Sequence, residues 1–205
     1  MKTALIIFIK NPELGKAKTR IARVLGAEVA LKVYLRLTDA AHVLSKSIAV
    51  NRYLFYADHI NHSDQWESEY FFKELQDKDP DLGQKMYAAF MRLHEKGYEK
   101  VFIIGSDCPE LSTEILEKGI NDLSENEVII GPALDGGYYL IGFNFAKLAA
   151  DTTNTLQSVF LNKTWSHEQV LHDALSSLQG RSISLLPELS DVDLPEDLER
   201  LNWSF

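Results

Sequence analysis

Val101-Phe-Ile-Ile-Gly-Ser-Asp-Cys-Pro-Glu-Leu111 runs four apolar residues straight into a glycine and an aspartate. Val101, Phe102, Ile103 and Ile104 are types that suit a buried strand, and Gly105 ends it so that Asp107 is released just beyond. In an open α/β sheet the ligand crevice lies past the carboxyl ends of the strands, where a carboxylate serves metal or phosphate chemistry. The same turn would form if Asp107 only accepted backbone hydrogen bonds. The rest of the chain has to separate these two roles.

Working outward, strand-like and helix-like patterns alternate. Thr3 to Ile9 is a continuous apolar run of the kind buried on both faces of a parallel sheet. A short helical pattern at Ile21, Val24 and Leu25 and a longer one from Ala27 to about Ser47 follow, then a strand from Arg52 to Ala57. Asp58 to Glu69 reads as a loop or short helix; its His59, His62 and Asp64 lack a third spaced ligand and are left out of the site. Asp81 suits an N-cap for the amphipathic run Met86, Ala89, Phe90, Leu93, and Ser112 precedes another helix. Strands are expected at Glu127 to Ile130, Tyr138 to Phe143 and Ser182 to Leu186. A capping box at Ser166-His-Glu-Gln169 is expected to open a helix to Gln179. Pro195 starts a short last helix, and Asn154 to Asn162 is ambiguous. This alternation implies one α/β domain over residues 1–205, with a mostly parallel central sheet and helices on both faces.

The 205-residue chain is 45% hydrophobic and 25% charged, as in an ordinary globular protein, and no apolar run approaches the ~20 residues of a membrane span. A formal net charge of -9 disfavours nucleic acid as the main partner. One cysteine excludes an internal disulfide and any multi-cysteine zinc site, in keeping with a reducing, cytoplasmic location. A homo-oligomer remains compatible with everything above.

Three stretches after strands carry chemistry. Lys10-Asn-Pro-Glu-Leu-Gly-Lys-Ala-Lys-Thr-Arg20 places four basic residues and a glycine between a strand and a helix, which suits a polyphosphate. It is not a Walker A loop, which would need Gly where Lys10 stands and Ser or Thr where Ala17 stands. Gly131-Pro-Ala-Leu-Asp-Gly-Gly137 reads equally as a hairpin turn and as a place where a ligand approaches the backbone. Asp191-Val-Asp193 adds two carboxylates after the last strand. Parallel strands would put the basic loop, Asp107 and this pair on one rim.

In this order, Lys10-x-Pro12-x-x-Gly15-x-x-Lys18-Thr19-Arg20, Asp81-Leu-Gly83, Gly105-Ser-Asp-Cys-Pro109, Gly131-Pro-x-x-Asp-Gly-Gly-Tyr138 and Asp191-Val-Asp193 resemble a bacterial family of small GT-A-fold proteins. That family is described as glycosyltransferase-like or as a domain of unknown function. The first loop and Asp107 also look like those of molybdenum-cofactor guanylyl- and cytidylyltransferases and of phospholactate guanylyltransferase. Lys85 stands where the family pattern has arginine, and Leu194 where a threonine would cap the last helix.

The resemblance implies a GT-A (nucleotide-diphospho-sugar transferase) fold and a metal-dependent transferase that uses a nucleoside triphosphate or nucleotide sugar and a small-molecule acceptor. It implies Mg²⁺ or Mn²⁺ on Asp107 and Asp193, with Asp191 as the competing second ligand. Lys18 and Arg20 would clamp phosphates beside Asp107 as the catalytic group, and Lys10, Pro12, Gly15, Lys16, Asp81 and Gly83 would contact the nucleotide. Asp135, Gly136 and Gly137 would face the acceptor or sugar. A non-catalytic nucleotide-binding module of the same fold is the alternative, and Cys108 lacks the fixed base that a nucleophile needs.

Overall fold

Ala4, Leu5, Ile6 and Ile7 expose no surface, because β1 (Thr3–Ile9) is covered on both faces. This computed structural model describes residues 2–205. β2 (Asn51–Tyr56), β3 (Phe71–Leu75), β4 (Lys100–Ile104), β5 (Val128–Pro132), β6 (Tyr138–Asn144) and β7 (Ile183–Leu185) complete a seven-stranded sheet in the order β3-β2-β1-β4-β6-β5-β7. β6 is antiparallel to both β4 and β5, and every other pairing is parallel. Six strands therefore share a direction, so β1, β4 and β7 deliver their following loops to one rim.

Alternate residues of a strand face opposite sides of a sheet, and the core divides accordingly. Ala4, Ile6, Val101 and Ile103 pack with α3 (Leu82–Glu95), α6 (Thr152–Phe160) and α7 (Val170–Ser177). Leu5, Ile7, Phe102 and Ile104 pack with α2 (Ala27–Lys46) and α4 (Thr113–Glu125). A third cluster joins Ile21 of α1 (Thr19–Leu25), Val33 and Leu37 of α2, Val192, and Leu198 of α8 (Pro195–Arg200). α5 (Phe145–Leu148) is a single turn after β6.

Several expectations are corrected. Phe71–Leu75, unread as a strand, forms the sheet edge; its burial does not alternate cleanly, and Phe72 is exposed while stacking on Tyr53. Asn154 to Asn162, left ambiguous, lies mostly in α6, whose buried Leu156, Val159 and Phe160 make one face. The capping box at Ser166 does not form. Ser166 has φ 64, α7 begins only at Val170, and the His167 ring bonds Thr164. The Asp135-Gly136-Gly137 turn joins a true β5–β6 hairpin, and the N-caps at Asp81 and Ser112 are present.

Phe90 is fully buried, stacked on Phe160 and edge-on to Phe143. Phe90→Ala is expected to destabilise the protein by about 3–5 kcal/mol with an unchanged denaturant slope in urea titration.

Candidate functional site

The first loop is pinned where it leaves β1. Asn11, almost wholly buried, donates its amide to the His59 carbonyl (2.9 Å) and accepts from the His59 backbone N–H (3.2 Å). The Tyr34 hydroxyl donates to the Lys10 carbonyl (2.8 Å) and accepts from the Lys10 N–H (2.8 Å), so α2 holds the loop where it leaves β1. Gly15 takes φ +79. Lys18, the residue before α1, has the left-handed backbone φ 46, ψ 52, sparsely populated for a side chain without a local polar cap.

That conformation accompanies the central contact of the site. The Lys18 ammonium lies 2.9 Å from Asp107 Oδ1 and 3.0 Å from Asp193 Oδ1. Its side chain is only 5% exposed, whereas Asp107 and Asp193 are 43% and 46% exposed. Burial alone would push the Lys18 ammonium down, but the two carboxylates outweigh it and its pKa is raised. Arg20 reaches Asp193 Oδ2 at 3.5 Å with most of its side chain in solvent.

Backbone contacts bring the carboxylates together. The Val192 N–H donates to the Asp107 carbonyl (2.9 Å), while the Val192 side chain is fully buried in the α1–α2–α8 cluster. Asp191 and Asp193 flank it. Asp197 Oδ2 accepts the N–H groups of Asp193 and Leu194, each at 2.8 Å, which is the half of a capping box that the third helical residue supplies. Asp191 is pushed up to about 7, first by burial and then by the nearby charges of Asp107 and Asp135, with Lys18 opposing.

These groups open on a cavity of about 580 Å³. Lys10, Lys16, Lys18, Arg20, Asp107, Asp135, Gly137, Asp191 and Asp193 line it. Pro12, Gly15, Asp81, Gly83 and Gly136 do not, so the expectation that the last three and the loop residues touch ligand has no support in the cavity's outline. Local structure accounts for three of them. Asp81 Oδ1 caps α3 by accepting the Gln84 N–H (2.9 Å). A Cβ on Gly83 would come within 2.0 Å of the Phe160 carbonyl and 2.8 Å of the Trp165 ring, so only glycine admits that packing. Gly136, with φ +87, lies against Glu168 and accepts the Leu171 N–H at 2.9 Å.

Asp107 and Asp193 fit a hard divalent cation. They offer carboxylate oxygens that already converge on one positive group and face open cavity, where waters and substrate phosphates can complete a coordination shell. Among the described residues no group of three or more His, Cys, Asp or Glu side chains is arranged to hold a metal by itself. An ion here would depend on substrate oxygens.

Residues 40–167 match the model of a family described as an uncharacterized protein conserved in bacteria, DUF2064. The chain belongs to that family. A protein of Desulfovibrio desulfuricans G20, provisionally described as a nucleotide-diphospho-sugar transferase, is 28% identical with a TM-score of 0.84; the alignment covers 98% of this chain and 87% of that one. At the level of fold alone, the chain is similar to CMP:2-keto-3-deoxy-manno-octonic acid synthetase complexed with CTP (10% identity, TM-score 0.59, 98% and 97% coverage). It is likewise similar to Rv0371C of Mycobacterium tuberculosis H37Rv in complex with manganese (12%, 0.56, 98% and 98%). No curated protein matches it in sequence. The GT-A expectation therefore holds, and no helix among the described residues is long and apolar enough to cross a membrane.

Sequence reasoning missed the supporting residues of this DUF2064 site. Val192 acts through packing and a backbone hydrogen bond to the remote Asp107, Asp197 through its side chain on the backbone of Asp193 and Leu194, and Trp165 lies in a connection with no periodic pattern. Cys108 is half-buried, and its thiol is pushed up to about 12 by burial and then by Asp191. About one thiol in ten thousand would then be ionised at pH 8. In metal-free buffer, iodoacetamide is expected to label native Cys108 very slowly at pH 8, about tenfold faster per pH unit up to pH 10, and rapidly once the protein is denatured. Labelling at the denatured rate in the native state would contradict this picture.

Proposed function

We propose that this protein is a metal-dependent transferase that moves a glycosyl or nucleotidyl group from a nucleotide donor to a small acceptor. The observation that carries the reading is the Lys18 ammonium held between Asp107 and Asp193 in the wall of a cavity that Lys10, Lys16, Arg20 and Lys85 also line. The similarity to the Desulfovibrio protein supports a nucleotide sugar as donor, and the basic first loop supports a triphosphate. The CTP and manganese of the two distant neighbours identify the first probes to try.

Such transfers expel a phosphate-bearing leaving group, so the protein mainly has to position it and balance its charge. Asp107 and Asp193 would hold Mg²⁺ or Mn²⁺, which when bound supplies electrostatic stabilisation of the phosphates. Lys18 keeps the two carboxylates facing one point before substrate arrives. An ammonium has three N–H donors, and with two directed at Asp107 and Asp193 the third remains for a phosphate oxygen. Arg20, solvent-exposed and only loosely paired, can turn to grip the phosphates bidentately. Asp193 is the better second ligand than Asp191. It is half-exposed and already beside a cation, whereas the carboxyl of the partly buried Asp191 is pushed up to about 7.

Calorimetry with CTP, other nucleoside triphosphates and nucleotide sugars, each with and without Mn²⁺ or Mg²⁺, tests this reading. Metal-dependent binding is expected for one donor class, and Asp107→Asn, which keeps the side-chain shape but removes one of the charges beside the buried Lys18 ammonium, is expected to weaken it by at least about tenfold and to lower Tm as well. Unchanged metal-dependent binding in Asp107→Asn would sink the metal role. Incubation with the donor that binds then separates the chemistries. Release of a nucleoside diphosphate marks glycosyl transfer, release of pyrophosphate marks nucleotidyl transfer, and tight binding without turnover across acceptors marks a binding module.

A further inference from the structure

Two buried polar atoms have no hydrogen-bond partner among the described residues: the Tyr138 hydroxyl and the Trp165 indole N–H. Both side chains line the same cavity. Leaving a buried donor unpaired costs about 1–3 kcal/mol, and native proteins rarely retain such groups without a use. Their positions are enforced. Trp165 rests on Gly83, where a Cβ would stand 2.9 Å from its Nε1, and Tyr138 follows the Gly136-Gly137 turn and packs on the α3–α6–α7 core. Lys85, one turn into α3, lines the same cavity, and its side-chain ammonium has no ion-pair or hydrogen-bond partner among the described residues.

The three groups share one property. An indole N–H and an ammonium can only donate, and a phenol donates readily. None of the three meets a carboxylate, in contrast to Lys18 at the rim carboxylates. A neutral sugar hydroxyl would require acceptors as well as donors. Two unpartnered donors and an unpaired cation that line one cavity, with Leu82 and Met86 in the same lining, suit an oxyanion carried on a small organic skeleton.

We propose that Tyr138, Trp165 and Lys85 form the acceptor subsite of the transferase, and that the acceptor is an acidic small molecule whose carboxylate or phosphate oxygens take these donors. The assignment rests on the transferase reading for the word acceptor, but not for the binding itself. It also assigns Gly83 a positioning role: the glycine opens the space in which the indole lies.

The probes are three molecules on one carbon skeleton: glycerol, glycerate and glycerol 3-phosphate. The readout is the Trp165 indole resonance in ¹H–¹⁵N NMR, identified among the three tryptophans by Trp165→Phe. Glycerate or glycerol 3-phosphate is expected to shift that resonance saturably while glycerol does not, and whichever acts names the anion. Tyr138→Phe is expected to weaken that binding about tenfold, and Lys85→Met to remove the preference for anion over glycerol. Because Tyr138→Phe deletes only an unpartnered hydroxyl, its Tm without ligand should be equal or higher. A lower Tm would mean that the hydroxyl is already satisfied, by an ordered water, and would count against the subsite. An indole resonance unmoved by all three probes would overturn the proposal. So would a nucleotide donor that shifts this resonance and binds more weakly to Tyr138→Phe, since the donors would then read the nucleotide. Donor binding retained in Tyr138→Phe while anion binding falls supports the subsite. Anion binding with no nucleotide binding would leave the subsite standing and remove the transferase reading instead.

Discussion

Two carboxylates turned toward the same cavity repel each other unless a cation lies between them, and Lys18 provides that cation. The arrangement is asymmetric in exposure: the lysine stem is buried and the carboxylates are open to the cavity. An ammonium so placed depends on its partners to offset its desolvation, and they depend on it to face inward. Lys18 comes from the first loop, Asp107 from the end of β4, and Asp193 from the far end of the chain. The contact therefore ties three remote segments to one point.

The rest of the molecule supplies rigidity to that point. Val192 plugs the α1–α2–α8 cluster and hydrogen-bonds the Asp107 backbone, so the carboxylates on either side of it cannot drift independently of β4. Asp197 fixes Asp193 from the next turn, and Tyr34 and Asn11 hold the root of the basic loop. A binding site held within a fraction of an ångström needs this kind of outer support. The opposite side of the cavity is built differently. There Trp165 packs on Gly83 at the start of α3, and Trp165 and Tyr138, whose buried donors have no partner among the described residues, line the space.

Much of the fold was legible because buried parallel strands announce themselves. Thr3–Ile9 and Val101–Ile104 are apolar without alternation, as strands covered on both faces must be. The edge strand Phe71–Leu75 was not legible. With one flank open it carries Lys73 and Glu74 among its aromatics, and no period survives. Ser166-His-Glu-Gln169 has the letters of a capping box, yet the chain turns left-handed at Ser166 while the His167 ring bonds Thr164. Asp81 and Gly83, candidates for nucleotide contact, are accounted for by capping and by close packing against Trp165.

By itself the sequence determined that a basic loop and two acidic strand ends lie on one rim of an α/β sheet, because strand direction and the sites of Gly and Asp are local properties. The tertiary structure alone decided which groups touch. Lys18 pairs with Asp107 and Asp193, the Asp191 carboxyl is pushed up while Asp193 lies beside Lys18 and Arg20, and the Tyr138 hydroxyl and Trp165 indole N–H are left without partners among the described residues. Each of these depends on the distance between atoms more than twenty residues apart in the chain, and on what water can reach. No local pattern encodes either quantity.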